Sequence, residues 1–321
     1  MNIAIVGDVH LSLRKYKEFE ANRFKLLIDE LITKAPSIVV FAGDLLDKPN
    51  PTLEEQQLLM YAINKLESNK ISVKIIAGNH EAVTASTSTY DFILPYSSNH
   101  VNIGRLYNLK LAVNTDLGIV LKGWTTVKTS SHTKTEDILI THLRANHGLI
   151  KEEYNIKELS ECYSQVFMGD LHFRYSPFDN VHYTSSPYSS KFTDKPLTDY
   201  GYIMLDSSNK TWKYIDLQLP CKVKRACKAS ELDKTLNGLE KHLVKLDVSG
   251  TLEELNKLPL LDNIIYNKEV IDVTQVQIST QVQAGTLDAL EDYIVASGFT
   301  DKYPNSSGKI KDVINNLKGK L

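Results

Sequence analysis

The sequence predicts an α/β fold built on a parallel sheet, and three observations carry that prediction. From Met1 to about Ala77, strand-like apolar runs alternate with stretches of helical periodicity, the pattern of successive β-α-β units. Five apolar runs end in Gly, Asp, Asn or His, and the carboxyl ends of parallel strands are where such a sheet builds its functional edge. With 321 residues and 42% apolar residues, the chain can bury a full core and is long enough for more than one domain.

The elements follow in order. Asn2 to Val6 reads as the first strand, Ser37 to Ala42 as the second and Val73 to Ala77 as the third. Between them, Glu18 to Lys34 sets Phe24, Leu27, Ile28, Leu31 and Ile32 on one helical stripe. Leu53 to Leu66 does the same with Leu58, Leu59, Ala62, Ile63 and Leu66. From Val101 to Leu121 the runs shorten (Leu106 to Val113, Gly118 to Leu121) and are broken by Asn, Asp and Gly, which predicts antiparallel pairing and a second sheet. Ile138 to Ile140 and Gln165 to Met168 are further strands, and Tyr200 to Leu205 and Trp212 to Leu217 flank a turn at Asp206 to Asn209.

Pro220 and the basic stretch Lys222 to Lys228 read as a boundary. Beyond it a helix (Glu231 to Lys241), a strand (Leu243 to Val248), a short helix (Leu252 to Lys257) and a strand (Val270 to Gln277) make a small α+β unit. Gln275 to Gln283 reads as a linker, and Thr286 to Ala296 and Gly308 to Leu317 as two helices, the first capped by Thr286. The expected domains are 1–220, 221–280 and 281–321.

No apolar run approaches the roughly 20 residues of a membrane helix. The first residues enter a strand without a basic leader, and three cysteines make an odd number, so the expected setting is a reducing cytoplasm with no membrane contact. A formal charge of −2 gives no global attraction to nucleic acid, so handling DNA would need a local basic patch or a partner.

The chemistry concentrates in Gly7-Asp8-Val9-His10, Gly43-Asp44, Gly78-Asn79-His80 and Gly169-Asp170-Leu171-His172, with His142 ending a fifth run. Strand alternation would put Asp8 and His10 on one face, and Asp170 and His172 repeat the spacing. Asp44 suits a carboxylate shared by two ions, Asn79 offers a neutral oxygen, and His80 would point elsewhere, free for proton transfer or phosphate contact. Each motif alone is more often a turn. Together, hard oxygens and imidazoles converging from several strand ends point to a two-metal site.

The order Asp-x-His, Gly-Asp, Gly-Asn-His, His, Gly-x-x-His resembles the calcineurin-like metallophosphoesterase superfamily from Met1 to about Gln218. That resemblance implies a four-layer αββα sandwich with a small α+β cap and C-terminal helices. It implies Asp8, His10, Asp44 and His172 around one ion and Asp44, Asn79, His142 and Asp170 around the other. His80 matches the histidine that contacts the scissile phosphate, and phosphodiesters would be hydrolysed by a two-metal-activated hydroxide. Within the superfamily, Tyr183-Thr-Ser-Ser-Pro-Tyr-Ser-Ser-Lys-Phe-Thr-Asp194, Tyr200-Gly-Tyr-Ile-Met-Leu-Asp206 and Leu290-Glu-Asp-Tyr-Ile294 are similar to segments of SbcD-like double-strand-break repair nucleases and phage recombination endonucleases. The implied protein is a 3′–5′ exonuclease and endonuclease of bacterial or phage origin. It would use manganese, with magnesium as the second choice, and act on DNA as a homodimer within a heterotetramer. An SbcC-like coiled-coil ATPase would dock on the C-terminal helices.

Three departures stand out. Asp170 replaces the usual histidine and favours harder ions; Glu81 replaces the usual aspartate, either orienting His80 with a longer reach or sitting in solvent; Ser185 replaces a glycine. Arg144, Arg174, Lys191 and Lys195 flank the site as candidate DNA contacts, against an ordinary charged surface. Tyr188 and Phe192 are candidates for base stacking, with packing under a loop the stronger reading. His100, His132, His147, His182 and His242 read as structural or solvated. The rival functions are a phosphatase or cyclic-nucleotide phosphodiesterase on the same scaffold, and a non-catalytic scaffold.

Overall fold

A computed structural model describes residues 1–81, 89–92, 101–104, 109–112, 118–129, 131–144, 154–194 and 199–271. The first sheet starts with β1 (Asn2–Val6), followed by α1 (Lys17–Lys34), β2 (Ile38–Ala42), α2 (Leu53–Ser68) and β3 (Ser72–Ile76). β1 to β3 are parallel and, apart from Asn2, Ser72 and the buried Lys74, apolar on both faces, as covered strands are. α2 begins where Thr52 accepts from the Glu55 amide at 3.2 Å and the Glu55 carboxylate accepts from the Thr52 amide at 2.7 Å, a reciprocal cap. β4 (Val101–Gly104) adds in parallel to β3.

The second sheet comprises β5 (Leu109–Ala112), β6 (Gly118–Lys122), β7 (Ile138–His142), β8 (Gln165–Gly169), β9 (Tyr175–Phe178) and β10 (Val181–Tyr183). α3 (Trp124–Thr129) and α4 (Ile156–Cys162) fall within it. Its order is β5-β6-β7-β8-β10-β9, with the antiparallel pairing expected at β5–β6. The chain then returns to the first sheet as β11 (Gly201–Asp206) and β12 (Thr211–Asp216), giving β12-β11-β1-β2-β3-β4.

The two sheets pack face to face. Ile3, Ile5, Val40 and Ile203 of the first meet Ile119, Ile138, Ile140 and Phe167 of the second in one buried cluster. On the outside of the second sheet, Leu139, Val166 and Met168 pack with Val127, Ile156 and Leu159 from α3 and α4. α1 and α2 bury Phe24, Leu27, Ile28, Leu31, Leu59, Ile63 and Leu66. The layers are helix, sheet, sheet, helix, which is the expected sandwich.

A third sheet follows, in the order β13 (Lys222–Lys228), β14 (Leu243–Gly250), β15 (Ile264–Val270), with α5 (Leu232–Leu236) and α6 (Leu252–Asn256) between strands. Two expectations need correcting here. The basic stretch read as a boundary is a strand. The helix expected over Glu231 to Lys241 stops at Leu236, just before Gly238 takes φ +77°. A strand occupies Ile264–Val270, and the one expected over Val270 to Gln277 lies outside the described residues from position 272 on. By contacts the chain forms two units, residues 1–248 with 259–268 and residues 249–258 with 269–321. In the second unit, Thr251 and Glu254 form a reciprocal cap on α6. Gln275 to Gln283, Thr286 to Ala296, Leu290 to Ile294 and Gly308 to Leu317 lie outside the described residues. Among the described residues, no helix is long and apolar enough to cross a membrane.

Candidate metal centre

β1, β2, β3, β7 and β8 deliver the chemistry-bearing residues at or just beyond their carboxyl ends. The delivery differs from the alternation expected from sequence. β1 stops at Val6 and β8 at Gly169, and Asp8, His10, Asp44 and Asp170 take φ of 53°, 49°, 49° and 101°. Left-handed backbone at non-glycine residues is costly and concentrates at functional sites. It is held here by loop-to-loop bonds: the Asp8 amide donates to the Gly43 carbonyl (3.2 Å) and the His10 amide to that of Asp44 (2.8 Å). The glycine before each ligand type has a steric reason. A Cβ on Gly43, itself at φ +83°, would collide with the His142 ring, and one on Gly78 with the Asp44 carboxylate.

Asp44 lies at the centre. Its Oδ2 is 3.7 Å from His10 Nε2, 3.5 Å from His142 Nε2 and 3.8 Å from His80 Nε2. On one side His10 Nε2 faces His172 Nε2 at 3.0 Å, with Asp8 in the same group. On the other, His142 Nε2 faces Asn79 Oδ1 at 2.9 Å and Asp170 Oδ1 at 3.9 Å. The Nδ1 atoms are already committed: His142 donates to the Ala42 carbonyl (3.1 Å), and His172 pairs with Ser190 Oγ (3.1 Å). The Nε2 lone pairs therefore converge on other acceptors, an arrangement that needs a proton or a cation between them. Ligands at right angles on one octahedral ion would stand about 3 Å apart. With three carboxylates, an amide oxygen and three imidazoles, the donor set fits two hard to borderline divalent ions.

The charges agree with this layout. Burial raises the Asp8 pKa despite His142 and His172 nearby. Burial also opposes ionisation of Asp44, but His142, His10 and His80 outweigh it and hold that pKa below the usual range. Burial would lower the His142 pKa, yet Asp44, Asp8, Asp170 and Glu81 together raise it to about 9.

Several supporting residues had gone unrecognised in the sequence. Asp194 Oδ2 accepts from the Ser190 amide (2.7 Å), the Lys191 amide (2.8 Å) and Ser190 Oγ (3.1 Å), completing a chain from His172 Nδ1 to a carboxylate. Burial opposes the charge on Asp194, but His172 and the Lys191 amide bring its pKa down to about 2. Such carboxylate–histidine chains orient metal ligands. Asp47 holds His80 through its carbonyl, which accepts from Nδ1 at 2.8 Å, and its carboxylate is 3.5 Å from His10 Nδ1. The sequence signal for both was weak: an aspartate three residues past Asp44, and a Ser-Lys-x-x-Asp turn.

Glu81 neither sits in solvent nor takes the Nδ1 of His80. It is fully buried, accepting from the amides of Asp44 (3.0 Å), Gly78 (2.7 Å) and Leu46 (2.7 Å) and from the Tyr90 hydroxyl (2.7 Å). It clasps the two loops that carry Asp44 and Asn79. Burial and the nearby Asp44 raise its pKa to about 7. Ser185 takes a left-handed conformation (φ 67°), which favours glycine, with Oγ donating to the Asp199 carbonyl at 2.6 Å.

Arg144 and Lys191 line the cavity over the metal cluster, of about 400 Å3, together with His80 and Asp170. Arg174 pairs with Asp216 and lies over the Tyr214 ring at 4.6 Å. Lys195, His100 and His147 lie outside the described residues. Tyr188 is buried under Arg23, whereas Phe192 meets Tyr16 edge-on at 6.0 Å. His132, His182 and His242 bond to Tyr163, Ser176 and the Cys221 amide, as structural histidines do.

A second cavity, of about 640 Å3, also has His10 and His80 in its lining. Around it stand Arg14, Lys15, Lys48, Lys191, Lys222 and Lys245, with Tyr16 and Phe192 at its edge. Opposing them are only Glu20 and Asp47.

Comparison with known proteins adds the following. The family model for calcineurin-like phosphoesterases matches residues 1–161. A DNA double-strand break repair protein Mre11 of Methanocaldococcus jannaschii is 35% identical over 81 residues, 24% of this chain and 22% of that protein. The Mre11 of Nanoarchaeum equitans is 23% identical over 246 residues, 64% of this chain and 66% of its own length. The chain thus spans less than two thirds of either relative. Among solved structures, a dimetal phosphatase from Danio rerio aligns with a TM-score of 0.42 at 11% identity, over 67% of this chain and 95% of that one.

Proposed function

The chain belongs to the calcineurin-like phosphoesterase family, and from that premise we propose that it is a DNA nuclease subunit of an SbcCD-like recombination and repair complex, using manganese. The observation that carries the step from phosphoester to nucleic acid is the basic cavity that shares His10 and His80 with the metal centre. A small phosphate ester needs one anion site. A cavity lined by six cations, of which Lys222 and Lys48 face Glu20 and Asp47, and by two aromatic rings suits a strand, whose phosphates and bases repeat.

Asp8, His10, Asp44 and His172 would hold one ion, and Asp44, Asn79, His142 and Asp170 the other. Bound there, divalent cations supply Lewis-acid polarisation of a phosphoryl oxygen and a hydroxide at neutral pH. The chain's own residues do the rest. Glu81 fixes the loops of Asp44 and Asn79, so the ligands are positioned before substrate arrives. His80, with Nδ1 donating to the Asp47 carbonyl, has Nε2 as the atom that carries a proton toward the leaving sugar oxygen. Its side chain is one-third exposed, in the wall common to both cavities. Lys191 lines both cavities and is suited to a backbone phosphate. The C-terminal segment 281–321 is the proposed dock for a coiled-coil ATPase, with a homodimer at the core of that assembly.

The test is direct. With manganese, purified protein should degrade a duplex labelled at one strand, and His80→Asn should lower turnover by about a hundredfold or more while leaving manganese binding intact. Turnover of a chromogenic phosphodiester with DNA untouched, even after the ATPase is added, would replace this reading by a small-molecule phosphodiesterase or phosphatase.

A further inference from the structure

Asp170 serves two neighbours at once. Its Oδ1 is 3.9 Å from His142 Nε2, beside the donors proposed for the second ion, and its backbone amide donates to both Asp8 oxygens at 3.0 and 3.1 Å. Both of its oxygens are also taken by Arg144, with Nε donating to Oδ2 at 3.0 Å and Nη2 to Oδ1 at 3.1 Å. A two-pronged guanidinium–carboxylate bond is among the strongest a side chain forms. The pair is unequal in exposure: the Asp170 side chain is 3% exposed and that of Arg144 35%. The carboxylate is therefore fixed, while the guanidinium has room to leave it for the cavity that both line.

We propose that Arg144 and the second divalent ion compete for the Asp170 carboxylate. The second ion then binds more weakly than the first, and its arrival turns Arg144 into the cavity as a cation available to a phosphate. The first set has a different balance, with His10 and His172 facing each other and Asp8 bonded to a backbone amide. Histidine at position 170 would take away the two-pronged carboxylate contact that Arg144 makes there. The competition therefore follows from having aspartate there. It rests on the two-ion reading above.

Titration of the full chain with Mn2+, following free Mn2+ by electron paramagnetic resonance, tests it without any turnover. Wild type should bind one equivalent tightly and a second at least about tenfold more weakly. Arg144→Gln should tighten the second equivalent by about tenfold and leave the first unchanged. Asp170→His keeps a ligand and removes the carboxylate that Arg144 grips, so it should close the gap as well, and it decides the matter if Arg144→Gln does not fold. Two equal equivalents in wild type, or a gap that both variants leave unaltered, would overturn the competition. Absence of any Mn2+ binding by folded wild type would overturn the metal reading itself, and the competition with it.

Discussion

At His142, an ion bound as proposed would have to displace a proton. Nδ1 is occupied by the Ala42 carbonyl and Nε2 faces Asn79 Oδ1, while burial is overcome by Asp44, Asp8 and Asp170 to raise the pKa to about 9. Because that pKa is raised, the ring is protonated at neutral pH, and a cation binding at Nε2 must expel the proton. Apparent affinity for the second ion should therefore climb by about tenfold per pH unit up to about pH 9 and level off beyond it. Calorimetric titrations in buffers of different ionisation enthalpy should count about one proton released at pH 7.5. A flat profile would mean that His142 is not a ligand. At this scale the residue types were legible: Asp8, His10, Asp44, Asn79, His142, Asp170 and His172 all sit within one cluster at strand ends. Asp47 and Asp194 were not, because their contacts depend on loop conformations rather than on strand or helix periodicity.

Among the elements, α1 carries an ion pair that amphipathic patterning did not reveal. Arg23 is fully buried, bonded through Nε to Glu20 at 2.8 Å and through Nη1 to the Ser189 carbonyl at 2.6 Å, and it lies over the Tyr188 ring at 4.0 Å. Lys222 of β13 reaches the same Glu20 at 2.7 Å. Helix, third sheet and the loop bearing Ser190 and Asp194 are thereby joined. Arg23→Ala leaves Glu20 buried with one cation fewer and should destabilise the protein by about 3–5 kcal/mol, measured by urea unfolding. A loss below about 1 kcal/mol would mean that water or Lys222 replaces it. The helix itself was legible, since Phe24, Leu27, Ile28 and Leu31 mark its buried face. Its partners come from residues near 189 and 222, which no local pattern connects. β13 escaped detection for a related reason: Lys222 and Lys224 flank a buried Val223, and a lysine-rich edge strand resembles a solvated linker.

For the molecule as a whole, a formal charge of −2 hides a strongly local asymmetry. If the basic cavity tracks a strand, single-stranded oligonucleotide affinity should fall as salt rises, and each phosphate contact removed should lower the logarithmic slope by about 0.7. Filter binding of Lys15→Ala, Lys48→Ala and Lys191→Ala across a salt series measures this. An unaltered slope in all three would place the strand elsewhere. The parallel sheet and its helices were readable from strand and helix alternation, and the sandwich followed from the family resemblance, but the closeness of the two cavities was in neither, because Arg14, Lys48, Lys191 and Lys245 meet only through tertiary packing. The position of β1 adds a consequence in time. It lies between β2 and β11, with Asn2 opposite Asp206 and Ile5 opposite Ile203. During translation β1 must therefore wait for one of its two neighbours until residue 206 has been added. Asp170 and His172 likewise join Asp8 and His10 only late in synthesis. A nascent chain interrupted before residue 170 would contain neither proposed ion set in full, so premature termination would yield a product without the proposed metal centre rather than an unregulated one.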